Sequence, residues 1–396
     1  MEELEENDEM LDSAGEETED ELEVDYLNDI SDVVTWSTDW TVETIISQIE
    51  KGNIDLSPKF QRRDAWSPVK KSRFIESVIY GLPIPQIVLA ENKTSKGKFI
   101  IVDGKQRLLT LFQFFSENSP KRLILSNLQN TALVGMGKDR LLEEHEELYN
   151  NFLNQSIRSV IIKNWLSETF LYTIFFRLNT GSLGLSPQEL RMALRPGPFM
   201  DYAEEFSRNN RVKSLLKLKE PDYRMRDVDL VIRYFAFANL MDSYSGNYKD
   251  FLDKACNLFN QEWNTFENKI KEQALEFENA IDFCIEVFDN DNVFRKWNKG
   301  RYEKRINRAV FDIMMYFFSQ ENLRTMVGSR SADICNLFTS LCETNNQFQK
   351  SLSSNTNNMV ETSSRFYIWW QALSQITGET IPLPVNISHT YTTSLQ

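Results

Sequence analysis

Residues 99–115 read FIIVDGKQRLLTLFQFF: an apolar run, then Asp, Gly, Lys, Gln and Arg, then a longer apolar-rich run. The first run has the length and β-branched content of a strand, and the second keeps apolar residues at helical spacing. A strand ending in Asp103 and Gly104 is therefore expected to run directly into a helix from about Lys105 to Phe115. The start of a helix carries N–H groups without intrahelical partners, aimed ahead of the strand. Such groups attract anions, phosphate above all, and the helix dipole adds to the attraction. Gly104 permits close backbone approach, Arg107 can fork onto two phosphate oxygens, and Lys105 adds a point charge. Asp103, at the carboxyl end of the strand, could hold a magnesium ion, orient a water or bond a ribose hydroxyl. On these five residues alone a plainer reading competes equally: Asp103 caps the helix and Arg107 makes a surface ion pair.

Working outward, IPQIVLA (84–90) reads as a second strand, joined to KFIIVDG by the hairpin loop ENKTSKG (91–97). Further upstream, Val42, Ile45, Ile46 and Ile49 mark a short amphipathic helix closed by Gly52. NIDLSP (53–58) reads as a brief strand and FQRRDAWSP (60–68) as a polar loop. VKKSRFIESVIYG (69–81) places Val69, Phe74, Val78 and Ile79 along one side of a helix, with Gly81 and Pro83 as stop signals. Downstream come a polar helical stretch around 139–155, a strand SIRSVIIK (156–163), a helix over 166–178 and the loop NTGSLGL (179–185). In SPQELRMAL (186–194), Ser186 and Glu189 form a capping box, Pro187 takes the first helical position, and Leu185 with Leu190 makes a hydrophobic staple.

From about 200 to 376 the pattern is helical almost throughout, as in VDLVIRYFAFANLM and RAVFDIMMYFFS. The expected fold is α+β, a small mixed α/β domain followed by an all-α one. The expected divisions are an acidic tail over 1–32, a nucleotide-binding domain over 33–198, a helical domain over 199–376 and a polar C-terminal tail over 377–396.

The formal charge of −14 is local in origin. Residues 1–32 hold 16 Asp and Glu and no Lys or Arg; removing these from the 58 acidic residues leaves 42 against 44 basic ones, so the rest is near neutral. Such a segment cannot bury enough apolar surface to offset its chain entropy and is expected to be disordered. The four cysteines (Cys256, Cys284, Cys335, Cys342) and two histidines (His145, His389) lack zinc-ligand spacing, so no structural metal is expected. No basic-then-apolar leader and no uninterrupted apolar span of ~18 residues is present, which points to a cytoplasmic protein without a membrane partner.

Three elements, FQRRDAW, IVDGKQRLLTL and FFRLNTG…LSPQELR, together resemble the N-terminal domain of GmrSD-type modification-dependent restriction enzymes, related to the SspE anti-phage proteins and marked by a DGQQR motif. With YRMRDVDLVIRYFAF included, the resemblance runs over roughly residues 38–240. It implies a ParB/sulfiredoxin-like fold and nucleoside triphosphate binding and hydrolysis with magnesium, regulating DNA cleavage. Gln61, Arg62 and Trp66 match the family's QR…W element; Asp103, Gly104, Gln106 and Arg107 match its central motif; Arg177, Asn179, Thr180 and Gly181 match its RLNTG element. Asp103 and Gln106 are then the catalytic candidates, the remaining polar residues and Lys105 the nucleotide and phosphate ligands, and Trp66 the pocket aromatic. The departure is Lys105, where the family has Gln. Cleavage in the family belongs to an HNH-type domain, which two distant histidines cannot assemble, so a separate HNH-type nuclease subunit is the expected partner.

FRKWNKGRYEKRINR (294–308) carries Arg295, Lys296, Lys299, Arg301, Lys304, Arg305 and Arg308 with Trp297 and Tyr302 interleaved. It reads either as a solvated helix face or as a nucleic-acid contact. Two rivals to the NTPase reading stand beside it: a module that binds nucleotide or DNA without turnover, and a metal-dependent nuclease in the ParB-like pocket.

Overall fold

The computed structural model describes residues 33–56, 66–167, 170–171, 174, 177–178, 186–218, 221–222, 224–328, 330–353, 356–379 and 381–394. The acidic segment 1–32 and most of FQRRDAWSP lie outside them. The architecture is α+β, a small mixed sheet with helices followed by a mostly helical region. The chain divides into two compact units between Leu194 and Arg195.

The first unit is built on a four-stranded sheet. Its elements are β1 (Val34–Thr41), α1 (Val42–Glu50), α2 (Pro68–Ile79), β2 (Ile87–Glu91), β3 (Phe99–Asp103), α3 (Lys105–Phe115), α4 (Lys138–Glu144), α5 (Glu146–Asn154), β4 (Ser156–Lys163) and α6 (Pro187–Leu194). Strand order is β1-β4-β2-β3, with β2 parallel to β4 and the other pairs antiparallel. β2 is central and apolar on both sides, as a strand covered on both faces must be. Ile87 and Leu89 join Val42, Ile46, Ile75, Val78 and Leu108 in one core; Val88 and Ala90 join Val102, Ile162, Phe170 and Leu190 in another.

α1 starts with the Thr41 hydroxyl accepting from the Thr44 N–H, and α2 with Ser67 accepting from Lys70 and Pro68 following it. The capping box before α6 is formed as read: Ser186 N–H donates to Glu189 Oε2 at 2.8 Å and Glu189 N–H to Ser186 Oγ at 3.1 Å. Leu185 lies outside the described residues. Of the expected helix over 166–178, Phe170, Leu171, Ile174, Arg177 and Leu178 are helical, Leu166 and Ser167 are not, and the others lie outside.

Two expectations fail in this unit. The described part of NIDLSP, residues 53–56, forms no strand: Ile54 alone of these makes a bridge, to Phe99. β1 was not anticipated. Its apolar residues alternate, but Val34 and Trp36 are exposed on a sheet edge, so they carry no core pattern. Trp36 is instead covered by the Lys163 ammonium 4.8 Å from its ring.

The second unit comprises α7 (Pro198–Ser207), α8 (Asn210–Leu215), α9 (Arg226–Leu240), α10 (Tyr248–Gln261), α11 (Trp263–Phe288), β5 (Arg295–Asn298), β6 (Arg301–Ile306), α12 (Arg308–Phe318), α13 (Glu321–Val327), α14 (Ser331–Thr344), α15 (Asn346–Ser351), α16 (Met359–Thr377) and α17 (Val385–Ser394). α9 is buried nearly all round and packs against α7, α10, α11 and α12, the position of a central helix. A buried charge network threads its core. Arg233 pairs with Asp312 at 2.6 Å, Tyr248 donates to the same carboxylate at 2.8 Å, and Arg365 donates to the Tyr248 hydroxyl at 2.7 Å.

The region 200–376, expected to be helical almost throughout, is mostly helical, with the β5–β6 hairpin as its strand element among the described residues. Lys299 and Gly300 both take positive φ (50° and 79°), the geometry of a tight two-residue turn. Charged residues fill both strands, which hid the alternation. Within 377–396, Val385–Ser394 forms a helix whose Ile387 is buried and whose Tyr391 stacks on Tyr367 of α16 at 4.2 Å.

Candidate functional site

β3 ends at Asp103, Gly104 turns the chain, and α3 begins at Lys105. Gly104 sits at φ 99°, where L side chains are strained. A Cβ there would lie 3.2 Å from an Arg107 guanidinium nitrogen and from Ile87 Cγ1. Glycine therefore lets strand and helix meet without a linker. No side chain caps α3, so Asp103 is not the helix cap that the plainer reading allowed.

Asp103 and Arg107 face each other one helical turn apart. Arg107 donates from one terminal nitrogen to Asp103 Oδ2 at 2.6 Å and to the Gln86 carbonyl at 3.0 Å. The guanidinium thus clasps the end of β3 to the entry of β2. Both side chains keep partial exposure, 14% for Arg107 and 24% for Asp103, and Arg107 Nε is buried without an acceptor among the described residues. The result is a cation and a carboxylate, held in register, at the lip of an uncapped helix start.

Lys105 points elsewhere. It is 5% exposed and its ammonium pairs with Glu189 Oε1, while Glu189 Oε2 holds the Ser186 N–H. The charge expected for phosphate is met by a buried carboxylate, and the starts of α3 and α6 are tied together. Gln106 lies half-buried on the first turn, its carbonyl accepting from Thr110 Oγ1 at 2.7 Å.

Trp66 packs edge-on against Phe74 at 5.6 Å with the Lys70 ammonium 4.7 Å from its ring, the position of a hydrophobic anchor on α2. Arg177 is exposed and helical. Gln61, Arg62, Asn179, Thr180 and Gly181 lie outside the described residues. In the second unit Lys299, Arg301, Lys304 and Arg305 are exposed on the hairpin, Arg295 and Lys296 are half-buried, and Arg308 is buried against Asp229 at 3.4 Å.

Sequence reasoning missed two groups. The Lys105 to Glu189 contact spans 84 residues and has no local signal. Lys71 is 2% exposed, bonds Gln113 Oε1 at 2.7 Å, and burial, with Lys121 nearby, pushes its amine down to about 7. A signal existed there, since Lys71 shares the helical stripe of Phe74, Ile75 and Val78.

An αL glycine, an uncapped helix start and an Asp–Arg pair thus meet at one strand end of the mixed sheet. The family model for the GmrSD restriction endonuclease, N-terminal domain, matches residues 42–195, which bears out the resemblance carried by the motifs over that span. A match to that domain implies a component of a restriction or defence system. It covers the sheet unit from α1 onward, leaving out β1, and ends at residue 195, short of the residue 240 expected. No curated protein and no solved structure matches the chain. Among the described residues no helix is long and apolar enough to cross a membrane.

Proposed function

We propose that the Asp103–Arg107 junction binds the phosphates of a nucleoside triphosphate and promotes their hydrolysis, within a cytoplasmic sensor or regulatory component of a restriction or anti-phage system that works with a separate HNH-type nuclease. One observation carries this reading: an uncapped start of α3, with Arg107 beside it, in a segment that matches the GmrSD N-terminal domain. In the bound state the first-turn N–H groups receive phosphate oxygens, and Arg107, oriented by Asp103 and Gln86, adds charge-assisted bonds. Magnesium commonly takes one or two carboxylates plus phosphate oxygens, so the single carboxylate Asp103 fits a metal delivered with the nucleotide. That metal would offset charge developing on the phosphates, and Gln106 would orient the attacking water. Lys105 acts by position, fixing α3 against α6 through Glu189. Gln61, Arg62, Arg177, Asn179, Thr180 and Gly181 complete the ligand set on the motif match alone.

A second reading, binding without turnover, is favoured by the engagement of Asp103 with Arg107, which occupies the carboxylate a metal would need. Phosphate release from ATP, GTP, CTP and UTP with magnesium separates the two. Turnover that is lost in both Asp103→Ala and Arg107→Ala supports hydrolysis at this junction. Binding without release, abolished by Arg107→Ala, supports the recognition module; neither binding nor release removes both.

A further inference from the structure

The β5–β6 hairpin forms a two-stranded sheet of its own in the helical unit. Its inner side is fixed by named contacts. Trp297 and Tyr302 meet edge-to-face at 4.9 Å, the Trp297 indole N–H donates to Glu343 Oε1 at 2.6 Å, and the Tyr302 hydroxyl lies 3.4 Å from Cys335 Sγ of α14. Lys296 is held by Ser353 and Arg295 is half-buried beside Asp289 and Asp291. The outer part differs in kind. Lys299 at the turn and Arg301 and Arg305 on the face of β6 opposite Tyr302 are exposed, Lys304 is exposed on the Tyr302 face, and no ion pair engages any of them among the described residues. The carboxylate between them, Glu303, accepts from Asn298 at 2.9 Å.

We propose that this hairpin is a contact surface for the backbone of B-form duplex DNA. Four features of the ribbon select that partner. Four exposed cations without partners on a rigid support fit a polyanion, whose released counterions drive binding. Arg301 and Arg305 lie four residues apart on one strand face, about 13 Å at strand rise, a length over which a duplex presents about eight phosphate charges. The two aromatics are turned inward and bonded to Glu343 and Cys335, so they offer no platform for stacking unpaired bases, which a single-strand surface requires. A two-stranded ribbon enters the major groove of B-form DNA, whereas the deep, narrow groove of A-form RNA excludes it.

The test is fluorescence anisotropy of the full chain with a labelled duplex DNA of about 20 base pairs, and with a single strand and an RNA duplex of the same sequence, over a salt series. The variants are Arg301→Gln/Arg305→Gln and, as an equal-charge control on exposed helical residues, Lys254→Gln/Lys269→Gln. The expected result is that the duplex DNA binds tightest. The hairpin variant weakens it about tenfold and flattens the log-affinity against log-salt slope by about 2, while the control moves neither by comparable amounts. Equal effects of both variants, tighter binding of the single strand or RNA, or no duplex binding by the unmodified chain would each overturn the proposal.

Discussion

Two of the arginine–aspartate pairs in this molecule, Arg233–Asp312 and Arg107–Asp103, are built differently. In the helical unit, Arg233 and Asp312 are 1% and 0% exposed and share their charge with Tyr248 and Arg365. Burial would lower the Arg233 pKa, but Asp312, Tyr248 and Asp229 hold it above its ordinary value, and burial pushes the Tyr248 hydroxyl up to about 12. In the sheet unit, Asp103 and Arg107 keep water on one side and sit at the mouth of a helix start. The first arrangement fixes a core, because an uncompensated charge there has no solvent to turn to. The second can exchange partners, which a ligand site needs.

The contrast breaks most visibly at Asp312. Asp312→Ala removes the carboxylate that Arg233 and Arg365 share in the core and should cost about 3–5 kcal/mol, read by urea or thermal unfolding. Lys105→Met, which strips the counter-charge from buried Glu189, should cost about 2–3 kcal/mol. A cost near zero would mean that Lys105 is not the strut described. Gly104→Ala should cost about 1–2 kcal/mol through its left-handed backbone, and should also disturb Arg107, whose guanidinium the new methyl approaches. A smaller, pH-dependent effect is expected at Lys71. Its folded amine is depressed from 10.5 to about 7, so its contribution is present above the unfolded value and lost as pH falls towards 7. Between pH 7 and 8.5 stability should rise by about 1 kcal/mol or less after solvent screening, and Lys71→Met should remove that slope. Arg107→Gln should be smallest, within about 1 kcal/mol, because its partner is partly solvated.

Much of the sheet unit was legible because its signals are local. The strand-to-helix passage at Asp103–Gly104 and the Ser186–Glu189 capping box follow from neighbouring residue types, and both are present. What stayed hidden depends on partners distant in sequence. β1 turns Trp36 outward on an edge, and the hairpin at 295–306 conceals its alternation under charge. At the site, Asp103 next to Arg107 could be read from their spacing of four. The fate of Lys105 could not, since only the folded chain brings Glu189 to it.

The central claim is that, of two adjacent cations, Arg107 serves the ligand and Lys105 the scaffold. Titrating magnesium nucleotide into the full chain, Arg107→Gln and Lys105→Gln, with unfolding curves for all three, tests it directly. Arg107→Gln should lose at least about tenfold in affinity with little change in stability, while Lys105→Gln should bind within about threefold of the parent and unfold more easily. Loss of binding in Lys105→Gln with unchanged stability, and retained binding in Arg107→Gln, would contradict the account.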